Sequence, residues 1–194
     1  MKNHYQVRRE QSGFTLVELL IVAIILAILA AIVVPQFAAS TNDARASALR
    51  SNVSNIRGAI DLYAQQHGGS FPAAVASTGG TCTGGSAGTG AAGTVAALTE
   101  QLTRYSNTAG QTCSLQDIDG DGTPEFPFGP YLKSDSLPAN PVTDTAAVKF
   151  ETTGDLAMRA QATPGLGWRY DTKSGKFIAD DDSPDPAGVA YDTY

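Results

Sequence analysis

Basic side chains are scarce in this sequence: 13 Lys and Arg stand against 19 Asp and Glu, for a formal net charge of −6. A chain of that balance lacks the basic footprint that nucleic acid requires, so no direct nucleic-acid contact is expected. Histidine is scarcer still. His4 lies ahead of the first apolar run, His67 stands alone, and neither a Gly-x-Ser-x-Gly segment nor paired metal-binding histidines occur. No catalytic constellation can be assembled from what remains. Cysteine is limited to Cys82 and Cys113, 31 positions apart, a spacing that fits neither a Cys-x-x-Cys redox pair nor a zinc knuckle. The glycines between Thr78 and Thr94 lead to no Gly-Lys-Ser/Thr, which rules out a phosphate cradle.

What the sequence does have is one long apolar run. Leu16 to Phe37 is almost entirely Leu, Ile, Val and Ala, and as a helix rising 1.5 Å per residue it spans roughly 30 Å, one hydrocarbon core. Lys2, Arg8 and Arg9 precede it against Glu10, so the positive-inside bias keeps the N-terminus cytoplasmic and sends everything after Phe37 outward. Near the start of the run sits a carboxylate, Glu18. Such a charge costs about 2.5–3.5 kcal/mol at the bilayer centre and adds nothing to anchoring near the interface. Glu18 therefore implies a partner, the competing reading being a glutamate that snorkels to the interface. A secretory signal cleaved near Ala38-Ala39-Ser40 is a second bland reading. Against it stand the length of the run, the place of Glu18, and a small residue, Gly13, before the apolar stretch instead of after it.

Beyond the run, Leu49, Val53, Ile56, Ile60 and Tyr63 keep helical spacing and form a stripe that must cover something. A coiled coil is the other reading, but five positions are few for it. Gly68-Gly69 after His67 is a C-cap, so one helix is expected from Phe14 to His67, about 80 Å long and bent or locally melted near Pro35. Thr78 to Thr94 is dominated by Gly, Ala, Ser and Thr and reads as a long surface loop that cannot order itself by apolar burial. The cysteines flank Val95 to Tyr105, where Leu98, Leu102 and Tyr105 suit a short amphipathic helix. In an oxidising compartment Cys82 and Cys113 most simply form one disulfide, with two free buried thiols as the alternative.

Asp117-Ile118-Asp119-Gly120-Asp121-Gly122-Thr123-Pro124-Glu125 puts carboxylates at positions 1, 3 and 5 and glycine at 6 of one tight turn. Calcium wants six to eight oxygens, and Thr123 could add a carbonyl while Glu125 adds a carboxylate or holds a water. Phe128 replaces the bidentate glutamate of an EF-hand, and Pro124 and Pro127 oppose a following helix. A solvated Asp/Gly turn is the alternative. Gly167 to Ile178 reads as a hairpin whose Trp168, Tyr170 and Phe177 share one face over the helix, core packing being preferred to a sugar-binding platform. The acidic stretch after Ala179, with Asp180, Asp181, Asp182 and Asp185, is expected to be a mobile tail.

Gly13-Phe14-Thr15-Leu16-Val17-Glu18 resembles the processing site of type IV prepilins and of type II secretion pseudopilins. The resemblance implies cleavage after Gly13 by a membrane prepilin peptidase, an N-methylated Phe14 as the new N-terminus, and retention of Glu18 for assembly. Pro35 and Phe71-Pro72 fit the same pattern. Removing Met1 to Gly13 takes away three basic and one acidic residue and leaves a net charge of −8. The new ammonium group at Phe14 would find its counter-ion in Glu18 of its own or a neighbouring subunit, and a buried pair of this kind fixes register better than it adds stability. Tyr131-Leu132-Lys133 and Leu137-Pro138-Ala139-Asn140-Pro141 are similar to a stretch of the major pseudopilins. That family follows it with Trp-Gly and an aromatic and binds calcium nearby. Here Val142-Thr143-Asp144 takes that place, leaving Asp135, Asn140 and Asp144 as possible oxygen donors.

The expected fold is α+β and type IV pilin-like: a long N-terminal α-helix, its outer half packed on an antiparallel β-sheet, and a long disulfide-closed loop. Its parts are a cleaved leader (1–13), a transmembrane and assembly half-helix (14–37), an amphipathic half-helix (38–67), a Gly-rich variable region with a short helix (68–116), a β-sheet head with the candidate Ca²⁺ loop and hairpin (117–179) and an acidic tail (180–194). The expected role is structural, not enzymatic: a homo-oligomeric filament, preferably a type II secretion pseudopilus. The first alternative is a type IV pilus for adhesion, motility or DNA uptake. A membrane-anchored calcium-dependent binding module and a carboxylate-based enzyme are further alternatives. Partners implied by the family are the prepilin peptidase, an inner-membrane assembly platform and minor pilins or pseudopilins. The place implied is the bacterial inner membrane, single-pass, and then a periplasmic or cell-surface filament.

Overall fold

The computed structural model describes residues 14–161, 163 and 165–194. The chain divides into two compact units, the first ending at Thr41 and the second running from Asn42 to Tyr194. Helix α1, Leu16–Gln66, supplies the body of the first unit and the opening element of the second. The leader expected at 1–13, with Gly13, lies outside the described residues.

In the first unit, Leu16–Val34 is a 19-residue apolar stretch with no buried residue, long enough to cross a membrane once. Large side chains such as Leu19, Ile25 and Leu26 stand more than half exposed, an arrangement that requires lipid or protein around it. Helical structure continues through Pro35, so the local melting expected there is absent. A proline removes one N–H, and the turns on both sides carry the helix past it.

The second unit begins with the amphipathic part of α1. Leu49, Val53, Ile56, Ile60 and Tyr63 are sealed in one core with Leu98, Leu102, Trp168, Tyr170 and Phe177, so the stripe is a packing face and not a coiled-coil seam. Gly68 ends the helix with φ +64°, and the Gly69 amide donates back to Ala64 O at 2.8 Å, the bond expected of a left-handed glycine cap. Helix α2, Val95–Thr103, is capped by Thr94, whose hydroxyl accepts from the Ala97 amide. Tyr105, placed on this helix by the sequence pattern, instead opens strand β1.

Strands β1 (Tyr105–Ser106) and β2 (Thr112–Cys113) form a small antiparallel pair. Strands β3 (Val148–Glu151), β4 (Trp168–Asp171) and β5 (Phe177–Ala179) make the main sheet in that order. The expected antiparallel sheet is mixed: β4 and β5 form the hairpin, but β3 runs parallel to β4. The connection from Glu151 to Trp168 is long enough to return the chain to the starting end, whereas only the short turn before Phe177 imposes reversal. Trp168 and Tyr170 face the α1 core as expected. Their alternates, Arg169 and Asp171, are buried too, because Gln161 and Thr163 from the preceding connection and Asp180 from the C-terminal segment cover the second face.

That C-terminal segment is the main departure from expectation. It is docked, not a mobile acidic tail. Asp180 accepts from Arg169, Asp185 from Arg50 at 2.5 Å, and Asp192 from Arg159 through two bonds of 2.7 and 2.9 Å. Pro184 bridges to Ala190, and Tyr191–Thr193 closes as one 3₁₀ turn. Three of the acidic residues, Asp180, Asp185 and Asp192, thus meet an arginine contributed from elsewhere in the unit, while Asp181 accepts from Ser183.

Candidate functional site

The first site is the N-terminal end of α1. Phe14 is 81% exposed and precedes the helix. Thr15 is the N-cap: its hydroxyl accepts from the Glu18 amide at 3.2 Å, while Glu18 Oε2 accepts from the Thr15 amide at 3.0 Å and hydroxyl at 2.9 Å. This reciprocal pair is a capping box, and it satisfies two of the amides a helix start leaves unpaired. The carboxylate also complements the positive end of the helix dipole. Thr15 was missed as a site residue from the sequence, although Thr-x-x-Glu ahead of an apolar run is the pattern that announces it. Glu18 Oε1 has no hydrogen-bond partner among the described residues.

The acidic loop is the second site. Carboxylate oxygens of Asp117, Asp119 and Glu125 lie within 4.8 Å of one another, a grouping able to hold a metal ion. Backbone amides hold them there. Asp117 accepts from Gly120 and Gly122, Asp119 from Asp121, and Glu125 from Ile118. The Gly120 and Gly122 amides hold the Asp117 carboxyl below the usual range. Of the four carboxylates proposed from sequence, Asp121 is not in this group: it accepts from the Thr123 amide at 2.7 Å, forming a turn of its own. Of the outlying candidates Asp135, Asn140 and Asp144, Asn140 is buried, donating to Gly167 O and accepting from the Val142 amide, so its side chain organises a turn.

The third feature is the pinned insertion. Cys82 and Cys113 form a disulfide, with Cα atoms 5.6 Å apart, and no cysteine is free. The Gly-rich loop Thr78 to Thr94, expected to be unable to order itself by apolar burial, is held by more than this bridge. Glu100, inside α2, accepts from Ser77 Oγ, Thr89 N and Oγ1, and Gly90 N. Burial pushes the Glu100 carboxyl up, but these bonds outweigh it and hold it below the usual range. One polar side chain thus replaces the apolar contacts the loop lacks.

His67, isolated in sequence, is stacked on Tyr63 with ring centroids 3.7 Å apart. Its Nδ1 donates to Tyr63 O, which leaves Nε2 to accept from Ser106 Oγ at 3.2 Å. A histidine beside a serine is a nucleophile's geometry, but both residues are buried and the third member is a main-chain carbonyl. The pair closes the helix end against Phe128.

Residues 8–34 match the family described as the prokaryotic N-terminal methylation motif. Over 56 residues the chain is 45% identical to a type II secretion system core protein G of Pseudomonas aeruginosa, a match covering 29% of this chain and 39% of the relative. The chain thus spans about two fifths of the length of that curated relative. No solved structure matches it significantly. The motif, and the one helix among the described residues long and apolar enough to cross a membrane, fit a protein anchored in the inner membrane by one span. Phe14 to Glu18, which open that helix, lie inside the matched segment, so the N-terminal part of the chain is similar to that of type IV pilins and pseudopilins.

Proposed function

We propose that this protein is a structural subunit that polymerises through α1 into an extracytoplasmic helical filament. The observation that carries this is Glu18, held at the mouth of a 19-residue apolar helix none of which is buried within the chain. Cleavage after Gly13 frees an ammonium group at Phe14, and the spare Oε1 of Glu18 receives the corresponding group of a neighbouring subunit. Only a correctly staggered neighbour leaves no unpaired charge in the apolar layer. The enzymes and partners of this cycle are a prepilin peptidase, an inner-membrane assembly platform and minor pseudopilins. The filament is favoured as a type II secretion pseudopilus over a type IV pilus because of the similarity to core protein G and the Leu137-Pro138-x-x-Pro141 segment. The carbonyl of Pro138 accepts from the Trp168 indole, which ties that segment to the sheet.

A Ca²⁺ ion held by Asp117, Asp119 and Glu125, with Asp121 and Thr123 at its margin, orders the outer loop and takes no part in chemistry. Support comes from three carboxylates already converged by backbone amides. The deciding experiment for the filament reading is N-terminal sequencing of the membrane-extracted protein combined with filament shearing. A mature chain that begins at Phe14 and sediments as a polymer is expected. A start near Ser40 overturns the reading, because it discards the helix that assembles.

A further inference from the structure

We infer that the groove along the solvent face of α1 between Arg50 and Asp61 is the docking site for the Asp117–Glu125 loop of a second copy of this chain. The inference rests on the filament reading above and names a contact outside the membrane helix. The face comprises two adjoining cavities. One, of about 580 Å³, is lined by Arg50, Val53, Ser54, Arg57, Gly58, Asp61 and Tyr194. The other, of about 380 Å³, adds Arg159, Lys176 and Asp192 and shares Arg57 and Tyr194. Ser54 and Gly58 leave a notch between the two α1 arginines, and a Cβ built on Gly58 would meet nothing within 4 Å.

Positive charge outweighs negative on this face, where Arg50, Arg57, Arg159 and Lys176 stand against one exposed carboxylate, Asp61. Arg50 and Arg159 are 51% and 61% exposed, while the carboxylates beneath them, Asp185 and Asp192, are 2% and 0% exposed. Arg57 lines both cavities, donates through Nε to Phe177 O at 2.8 Å, and forms no salt bridge among the described residues. Burial works against its charge, with Asp61 one turn on opposing that effect. A protein of net charge −6 thus carries a cationic slot with one arginine left unpaired.

The complementary element is on the same chain. Asp117, Asp119, Asp121 and Glu125 lie within nine residues, and no cation pairs with any of them among the described residues. Gly120 and Gly122 make the tip narrow enough for a notch. A divalent cation in the loop leaves a formal −2 on these four carboxylates, so calcium weakens the attraction without reversing its sign. Groove and loop also sit at different levels of the second unit. Phe128, just past the loop, packs on His67, ten residues beyond Arg57, or roughly 15 Å along the helix. Copies whose α1 helices run parallel through one membrane cannot bring patches at different heights together by a two-fold along the helix axis; groove and loop then meet only between staggered copies, a heterologous contact that repeats as an open polymer.

The test uses the full-length chain, assembled in membranes, as two differently tagged copies carrying Ser54→Cys and Thr123→Cys, with the native disulfide intact. Mild oxidation is expected to give the mixed dimer. Arg57→Glu on the groove copy should cut its yield at least tenfold, and Asp119→Lys with Asp121→Lys on the loop copy should restore it, which also shows that both variants fold. A second pair with cysteines in the apolar helix, Ile24→Cys on each copy, reports polymerisation by itself. Cross-linking through Ile24→Cys without the groove-to-loop dimer overturns the inference and leaves the filament reading standing. Failure of both pairs overturns both. A groove-to-loop dimer indifferent to Arg57→Glu, or Ser54→Cys joining only to itself, also overturns the inference.

Discussion

Arg169 Nε donates to Asp180 Oδ1 at 3.0 Å, and the two side chains are 2% and 0% exposed, so the pair joins β4 to the start of the C-terminal segment out of reach of water. The same guanidinium reaches Glu151, Gln161 and Thr163. Removing one member of a buried pair strands the other, at a cost of about 3–5 kcal/mol. Arg169→Ala should lower unfolding stability by that amount in a denaturant titration. Arg169→Lys should recover less than half, since an ammonium cannot span four partners as a planar fork does. A loss below about 1 kcal/mol for Arg169→Ala would match an exposed pair and contradict the burial.

Acid should destabilise the second unit in two stages. Burial pushes the carboxyls of Glu100, Asp171 and Asp180 up, but the hydrogen bonds each accepts prevail and hold all three below the usual range. Burial also pushes the His67 imidazole down, opposed by its bond to the Tyr63 carbonyl. In every case the unfolded chain binds the proton first, so stability is present at high pH and falls as protons are added. The His67 part is lost from about pH 6.5 downward and the carboxylate part from about pH 5 downward. Urea midpoints across a pH series measure both. His67→Gln should flatten the upper stage and leave the lower one.

Legibility followed the range over which each interaction acts. The α1 stripe, the glycine cap after His67 and the β4–β5 hairpin were readable because a few neighbouring residues determine each. Asp180, Asp185 and Asp192 were misread as a solvated tail because their partners, Arg169, Arg50 and Arg159, lie 11, 135 and 33 positions away. Composition cannot reveal a neutralisation that only folding brings about. The same holds for Glu100, an ordinary surface-type residue by sequence that gathers the Gly-rich loop. At the helix start the pattern was local and readable: Glu18 drew attention as a charge in an apolar run, while Thr15 beside it was passed over.

Two restraints on the insertion, the Cys82–Cys113 bridge and the Glu100 bonds, should be separable. Closing a loop of 31 residues restricts the unfolded chain by about 3–4 kcal/mol in the chain-entropy model. Cys82→Ala with Cys113→Ala should lose about that stability in urea, yet limited proteolysis should still spare residues near Thr89 and Gly90, because Glu100 continues to hold them. Glu100→Ala in the oxidised protein should do the reverse, opening that stretch to protease while the disulfide keeps its ends together. Cleavage at Gly90 in the cysteine-free variant alone would assign the restraint to the bridge.

Glu18 has two separable jobs, capping α1 and neutralising a neighbour. Glu18→Gln keeps a side-chain oxygen for the Thr15 amide and preserves the capping box, but removes the charge. Membrane insertion should be unchanged or improved, since a charge leaves the apolar layer. Incorporation into wild-type filaments, read by pull-down of a tagged copy, should fall as far in Glu18→Gln as in Glu18→Ala. If Glu18→Gln assembles normally while Glu18→Ala does not, the residue acts as a cap and the counter-ion assignment is wrong.

Calcium should stabilise the second unit through the Asp117–Glu125 loop. Clustered carboxylates repel one another until a cation neutralises them, and backbone amides have already brought Asp117, Asp119 and Glu125 together. Binding to the folded form alone raises stability by mass action, by about 2.7 kcal/mol at one hundred times the dissociation constant. The melting temperature of the detergent-solubilised full chain should therefore climb with free calcium and return on chelation. Magnesium should do less, because its stiffer octahedron gives up water reluctantly. Asp119→Asn with Glu125→Gln should abolish the shift, whereas Asp121→Asn, outside the converged group, should reduce it only slightly. A full response in the Asp119→Asn, Glu125→Gln variant would place the ion elsewhere, and no response in the parent would leave a solvated turn held by its own amides.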